Sequence, residues 1–369
     1  MIPVNRPLIT REDLDAVQRC LDEGWISGEG PFVSSFEEEL ASAHSVDAAI
    51  AVSSGTAACD VLNDFAELQP GDEVIVPATT IISTISNAAR RGATIRCVDV
   101  SPDSWCASPD DYLNVINPRT RVAWIVHLFG LAVDLDPILD TCRDHGALVF
   151  EDAAEAIGVT YKGRLVGSIA DAGVLSFYAN KTVTCGEGGA ILTSKSDIDA
   201  RVRSLRNLCF DPAERFVHHD LGYNFRMPSL SAALARSQLS RLDDLLSRKR
   251  EIGDRYNNGL AGHPWLQLPK RATAASENAY WVYGIVLHDD APFDAKSLRD
   301  HLRSRGIDSR RFFYPINHQP VLRRLGLVSD APMPVAERLW KRGIYIPSGL
   351  GTSDDEVDRT IEELWSACR

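Results

Sequence analysis

The sequence predicts an α/β fold, with a large domain built on a mostly parallel sheet and a smaller C-terminal α/β unit. Three observations predict it. From about residue 34 to 205, short apolar runs alternate with amphipathic segments of helical length, a pattern that gives a parallel sheet covered on both faces. The residues able to do chemistry stand at the ends of those runs, where open α/β sheets hold their ligand crevice. A turn-rich stretch, Asn257-Asn258-Gly259 to Pro264, then precedes a second series of strands and helices. The expected domains are residues 1–258 and 259–369.

Taken in order, Thr10 caps a helix that runs to about Glu23 and carries acids in its first turn. Gly24, Gly28, Gly30 and Pro31 make an irregular segment around Trp25. Helix Ser34–Ala43 precedes strand Ile50–Ser53 and helix Thr56–Leu68. Strand Val74–Pro77, helix Thr80–Arg90, strand Thr94–Val98 and helix Pro109–Ile116 follow. Strands Val122–His127 and Leu148–Glu151 flank a helix from Leu135 to His145. Strands Ala172–Leu175 and Ala190–Leu192 precede helix Asp197–Arg206, and one long amphipathic helix is expected from Ser229 to about Asn257. The second unit reads as strand Tyr280–Leu287, helix Asp294–Arg305, strand Ser309–Phe313, helix Pro334–Arg342, strand Ile344–Ile346 and helix Ser353–Ala367.

Composition narrows the function classes. The chain has 369 residues, 44% hydrophobic and 24% charged, which suits a globular protein with a substantial core. A net charge of −12 argues against a nucleic acid polymer as partner. Eight cysteines, from Cys20 to Cys368, form no Cys-x-x-Cys pair; no metal site is expected, and reduced thiols fit a cytoplasmic location. His218-His219 lack further ligands in sequence reach. No apolar run is long enough for a membrane span, and no Gly-x-Gly-x-x-Gly follows a strand.

Three strand ends carry complementary chemistry. Lys181 follows strand Ala172–Leu175 on a loop, in Ser176-Phe177-Tyr178-Ala179-Asn180-Lys181, before Gly186-Glu187-Gly188-Gly189 and the next strand. Desolvation there lowers an amine's pKa and makes it a nucleophile toward carbonyls. Upstream, Ala147-Leu148-Val149-Phe150 ends in Glu151-Asp152. A carboxylate at that point suits a protonated pyridine nitrogen, and a Schiff-base lysine with such a carboxylate is what pyridoxal phosphate (PLP) chemistry requires. Strand Ile50–Ser53 runs into Ser54-Gly55-Thr56, whose hydroxyls and first-turn amides at a helix N-terminus suit a phosphate.

With these motifs and Gly222-Tyr223-Asn224-Phe225-Arg226-Met227, the chain resembles the DegT/DnrJ/StrS family of PLP-dependent sugar aminotransferases, nearest to its GDP-perosamine synthase branch. The resemblance covers nearly the whole chain. It implies an aspartate-aminotransferase-like fold (fold type I), with a seven-stranded, mostly parallel sheet in the large domain. It implies Lys181 and Asp152 as catalytic residues, and a cofactor site of Ser54, Gly55, Thr56, Ile81, Asp152, Glu155, Ser176 and Lys181. Asn224 is implied to reach the phosphate held by a neighbouring chain, so a homodimer would share its active sites. Family members usually carry an aromatic residue where Ile81 stands; an aliphatic side chain covers a ring face without the aromatic quadrupole.

For substrate, the resemblance implies glutamate as amino donor and a nucleotide-linked keto-sugar as acceptor, with Trp25, Ile26, Ser27, His127 and Glu187 as lining residues. Arg310-Arg311 beside aromatics suits a diphosphate or a donor carboxylate, and Arg311 is the candidate. His127 is expected to shape the site rather than do the chemistry. Two alternatives stay open: amination of a non-nucleotide sugar, cyclitol or related ring, and a non-catalytic binding or regulatory relative. A PLP dehydratase carries histidine at the lysine position, and Lys181 argues against it.

Overall fold

The computed structural model describes residues 1–367, so Cys368 lies outside the described residues. Helices α1 (Arg11–Asp22) and α2 (Pro31–His44) precede a series of β1 (Ala48–Val52), α3 (Gly55–Phe65), β2 (Glu73–Pro77), α4 (Ser86–Arg90), β3 (Thr94–Val98), α5 (Pro109–Leu113), β4 (Thr120–Val126), α6 (Asp136–Asp144) and β5 (Leu148–Asp152). A short hairpin, β6 (Thr160–Tyr161) and β7 (Arg164–Leu165), leads to β8 (Ala172–Ser176), β9 (Gly189–Thr193) and α7 (Ser196–Arg206). Helices α8 (Ser229–Leu239) and α9 (Leu242–Gly259) lead to β10 (Leu266–Gln267), β11 (Tyr283–Leu287), α10 (Ala295–Ser304), β12 (Arg310–Arg311), α11 (Pro320–Arg324), α12 (Pro334–Arg342), β13 (Gly343–Ile346) and α13 (Asp354–Ser366).

Among the described residues a seven-stranded sheet has the order β1-β9-β8-β5-β4-β2-β3. Its pairings are parallel except at β9, which runs antiparallel to both β8 and β1. Side chains alternate across it as strand geometry requires. Ala49, Ala51, Ile75, Ala123, Ile125 and Val149 enter one core with α2, α6 and α8. Ile50, Val52, Val74, Val76, Trp124 and Phe150 enter the other, against α3, α4 and α7. The sheet is thus buried on both faces, which explains its near-continuous apolar strands. The second sheet, β10-β11-β13-β12, is antiparallel.

The expected boundary after residue 258 falls at the end of α9, and that helix serves both units. Leu245 and Leu246 lie in the first core, whereas Ile252 and Tyr256 pack with β11, α10 and α13. The N-terminus also joins the second unit, through Ile2 N–H to Gly306 C=O (2.7 Å). No helix among the described residues is long and apolar enough to cross a membrane.

Three elements differ from expectation where a residue meets a partner distant in the chain. The single helix expected over Ser229–Asn257 is broken at Ser240-Arg241. Arg241 leaves helical geometry (φ −114°, ψ 18°), and its guanidinium meets the buried Asp13 at 2.8 Å. The helix expected at Thr80–Arg90 is a 3₁₀ turn, Ile82–Ile85, followed by the short α4, with the Thr84 hydroxyl turned toward Asp152. The strand expected from Tyr280 begins at Tyr283. Tyr280 takes a left-handed conformation (φ 50°), and Trp281 N–H bonds Phe129 C=O (3.1 Å) rather than a sheet neighbour.

One buried charge-capable group staples the two units. Lys249, on α9, is 2% exposed. Its Nζ donates to the carbonyls of Trp281 (2.9 Å) and Ser348. Burial pushes its pKa down to about 7. A neutral amine has two N–H groups, which two carbonyls satisfy; a third proton would lack an acceptor. Because this folded-state pKa lies below the unfolded value, the unfolded chain binds the extra proton between pH 7 and 10. Stability from this site therefore rises with pH across that window, by about 1.4 kcal/mol per unit. In urea unfolding at pH 7 and pH 9, wild type should gain about 2–3 kcal/mol relative to Lys249→Met. An unchanged difference would mean that the amine stays charged when folded.

Candidate active site

The parallel strands end on one edge of the large sheet, and a cavity of about 360 Å³ opens there, within the usual range for small-ligand pockets. Ser54, Gly55 and Thr56 come from the β1–α3 turn, Asp152 from the end of β5, Ser176 from the end of β8 and Lys181 from the β8–β9 connection. That connection is an extended hairpin: Phe177 N–H bonds Gly188 C=O (2.9 Å), and Lys181 N–H closes a turn onto Tyr178 C=O (2.8 Å). The second unit contributes Trp281, Phe313 and Tyr345 to the opposite wall.

The turn end of the cavity is made for close backbone approach. A Cβ on Gly189 would lie 2.5 Å from the Ser54 carbonyl carbon, and one on Gly55 would lie 3.0 Å from Ser176 Cβ. Ser54 caps α3 by accepting from Ala57 N–H (3.1 Å). Among the described residues this leaves the Gly55 and Thr56 amides without an acceptor, facing ligand space at the positive end of the helix.

Adjacent acids at the end of β5 face opposite sides. Asp152 lines the cavity; its Oδ2 accepts from the Thr84 hydroxyl (3.0 Å) and its Oδ1 from Ala154 N–H (3.2 Å). Glu151 faces away and is fully buried. It accepts from His127 Nε2 (3.0 Å) and from the amides of Gly167 (2.8 Å), Ile169 (2.7 Å) and Ala170 (2.8 Å). Burial alone would raise its pKa, but the hydrogen bonds from His127 and from the Gly167 and Ala170 amides hold it below the ordinary value. His127 Nδ1 accepts from Val133 N–H (3.2 Å), which puts the ring proton on Nε2 toward Glu151.

Lys181 is nearly buried. Its amine lies 4.0 Å from Glu155 Oε1 and 3.8 Å from the centroid of the Trp281 ring. Burial pushes the amine's pKa down, against the pull of the Glu155 and Asp152 carboxylates. Burial likewise pushes Glu155 up to about 7. The Glu155 carboxylate also accepts from Phe129 N–H (3.0 Å). Phe129 is held in the left-handed region (φ 55°), and its ring contacts Trp281, Phe313 and Tyr345.

The cavity thus brings together Ser54, Gly55, Thr56, Ile81, Asp152, Glu155, Ser176, Lys181 and Glu187. Other candidates lie elsewhere. Trp25 is partly exposed and packs against Gly30, and Ile26 is exposed. Ser27 is exposed, with its carbonyl bonded by Ser229 N–H (2.7 Å). His127 is buried behind β5 and lines no part of the cavity. Arg311 turns away onto the Trp340 ring (4.8 Å), whereas Arg310 pairs across strands with Tyr345, which does line the site. Asn224 is exposed and outside this chain's own cavity. Sequence reasoning missed Thr84, Trp281, Phe313 and Tyr345. Thr84 sits in a segment read as plain helix, and the other three belong to the second unit, 100 or more residues from Lys181.

A near-buried amine, a hydrogen-bonded carboxylate and a helix-end cradle in one crevice fit the groups of PLP: aldehyde, pyridine nitrogen and phosphate. Fold and site define the class, a fold type I PLP-dependent aminotransferase. The chain belongs to the DegT/DnrJ/EryC1/StrS aminotransferase family, whose model matches residues 7–365. It is 33% identical to a GDP-perosamine synthase of Vibrio cholerae, over 97% of this chain and 96% of that protein. The aminotransferase TlmJ from Streptoalloteichus hindustanus superposes with a TM-score of 0.93 at 27% identity, covering 100% of this chain and 98% of that one. Spr1654 from Streptococcus pneumoniae, solved in its PLP form, gives 0.90 at 28% identity, with 100% and 98% covered.

If the Thr84 contact orients Asp152, Thr84→Val should weaken cofactor retention by roughly tenfold, since a hydrogen bond to a charged group contributes about 1.5–3 kcal/mol. Dialysis followed by absorbance measures it. Unaltered retention would show that Asp152 needs no such support.

Proposed function

We propose that this chain transfers the amino group of glutamate to a nucleotide-linked 4-keto-6-deoxy sugar, with a GDP-linked keto-deoxymannose as the acceptor and GDP-perosamine as the product. The observation that carries the reading is the nearly buried Lys181 amine in the same cavity as Asp152. The GDP-sugar choice is supported by the likeness to a GDP-perosamine synthase across nearly the whole chain.

When bound, PLP supplies an aldehyde that condenses with amines and a pyridinium ring that accepts electrons from the donor's Cα. Lys181 Nζ would hold the cofactor covalently at rest. Freed from it, Lys181 Nζ would take a proton from the donor's Cα as general base and give it up again as general acid. Its lowered pKa favours the neutral amine needed for the first step. Asp152 would accept a hydrogen bond from the protonated ring nitrogen, and Thr84 and Ala154 hold its carboxylate in place. Ser54, the Gly55 and Thr56 amides and Ser176 would hold its phosphate. Ile81, 48% exposed beside the cavity, would cover one ring face. Glu155 and Glu187 face the reacting groups.

The assembly in this reading is a homodimer in which Asn224 of each chain completes the neighbour's phosphate site. Its support is that Asn224 is exposed outside its own cavity, near a segment that exposes Phe216 (75%) and Leu221 (88%). Residues 1–258 then form the cofactor domain and 259–369 the smaller domain.

The visible spectrum of PLP-loaded protein tests the first half-reaction. Adding glutamate should abolish the Schiff-base band and yield 2-oxoglutarate. Adding the GDP-linked keto-deoxymannose should restore the band and give a product detectable by mass spectrometry. A band unmoved by glutamate would overturn the donor assignment. Lys181→Ala should lose the covalent linkage and lower turnover by roughly 10³-fold or more; near-normal transamination would remove Lys181 from its role.

A further inference from the structure

Trp281 is fixed more firmly than a cavity-lining aromatic requires. Its Nε1–H donates to Asn180 C=O (3.0 Å), the residue before Lys181. Its backbone N–H donates to Phe129 C=O (3.1 Å), and its carbonyl accepts from the buried Lys249 amine (2.9 Å). Its ring packs beside Phe129 (6.1 Å). These contacts come from the β8–β9 connection, the turn after β4 and α9, and together they aim one ring face at Lys181 Nζ, 3.8 Å from the centroid. Glu155 Oε1 stands 4.0 Å from the same nitrogen. Asp152 from β5, Glu187 and Tyr178 from the β8–β9 connection and Tyr345 from β13 also face this space, while Lys249 stands behind Trp281.

An indole face attracts a cation electrostatically, most strongly where water is excluded. A neutral amine gains little from it. The contact therefore acts on one protonation state of Lys181.

We propose that the Trp281 indole is the docking platform for the Lys181 ammonium, holding that cation in place between proton uptake and proton delivery whenever the lysine is free of the cofactor. Trp281 thereby becomes a catalytic residue through its contact with the reacting nitrogen, and Lys249 and the Asn180 carbonyl are positioning residues that act through it. The inference rests on the role proposed above for Lys181. It adds a reason why a desolvated amine, chosen to be a good base, still holds its proton long enough to serve as the acid. Burial disfavours the ammonium, while the ring and the carboxylates restore part of the balance.

The test uses the full-length enzyme in two forms: PLP-loaded, and aminated by excess glutamate that is then removed. Trinitrobenzenesulfonate labels free amines, and peptide mass spectrometry locates the label. Lys181 should be protected in the first form and labelled in the second. Equal labelling in both would overturn the covalent role of Lys181, separately from the inference about Trp281. In the aminated form, the pH dependence of Lys181 labelling gives the amine's midpoint. Trp281→Leu should lower that midpoint by about one unit, a tenfold change in the ammonium-to-amine ratio. Trp281→Phe should restore part of the shift. Uniform incorporation of fluorinated tryptophans keeps shape and fold while weakening the ring's negative face, so the midpoint should fall stepwise with fluorine number. Among the seven tryptophans, Trp281 is the ring over the Lys181 amine. A midpoint unmoved by fluorination and by Trp281→Leu overturns the proposal, as would one that rises.

Discussion

Two adjacent carboxylates at the end of β5 must face opposite sides of a sheet that is buried on both, and the architecture of the site depends on how each is accommodated. A buried carboxylate is costly unless its lone pairs are filled. Glu151 fills them with one imidazole and three amides of one loop, those of Gly167, Ile169 and Ala170. That arrangement fixes the residue following β4, His127, and the segment leading into β8. The strand ends carrying Asp152 and Ser176 are therefore held in register by a polar cluster on the face away from the ligand. Asp152, one residue later, points the other way and keeps lone pairs for the cavity.

The other half of the site is made where the two units meet. Phe129 takes a left-handed conformation so that its amide reaches Glu155 while its carbonyl receives Trp281. Strain of this kind persists only where the surroundings over-determine it. Here the surroundings are an aromatic group of Trp105, Phe312, Phe313, Tyr345 and Trp281 around the Phe129 ring. Lys249 joins the same seam from α9, tying the Trp281 and Ser348 carbonyls to a helix that spans both cores. Aromatic packing, a left-handed turn and a buried amine thus converge on the placement of one indole ring.

Lys181 gains its properties from this convergence rather than from its loop alone. A lysine at the tip of a hairpin between buried strands is ordinarily able to reach water. Here the wall supplied by the second unit closes over it, so that burial acts on both the amine and Glu155. The two groups stand 4.0 Å apart, the amine depressed and the carboxyl raised by the same burial.

What the sequence by itself determined was local and periodic. Apolar runs of strand length, separated by amphipathic segments, dictate a sheet covered on both faces, and strand ends are where backbone groups and polar side chains are left free for a ligand. Lys181, Glu151-Asp152 and Ser54-Gly55-Thr56 were legible for that reason. The tertiary structure alone decided the rest, because those choices rest on contacts between residues far apart in the chain. Nothing local in Ala279-Tyr280-Trp281 announces that a left-handed Tyr280 delays the strand and aims Trp281 at an amine 100 residues away. Nor does Arg310-Arg311 reveal that one guanidinium lies on Trp340 while its neighbour pairs across strands with Tyr345. The helical break at Arg241 answers to Asp13, at the other end of the large domain's sequence. Periodicity specifies which face a residue occupies; only packing specifies what that face meets.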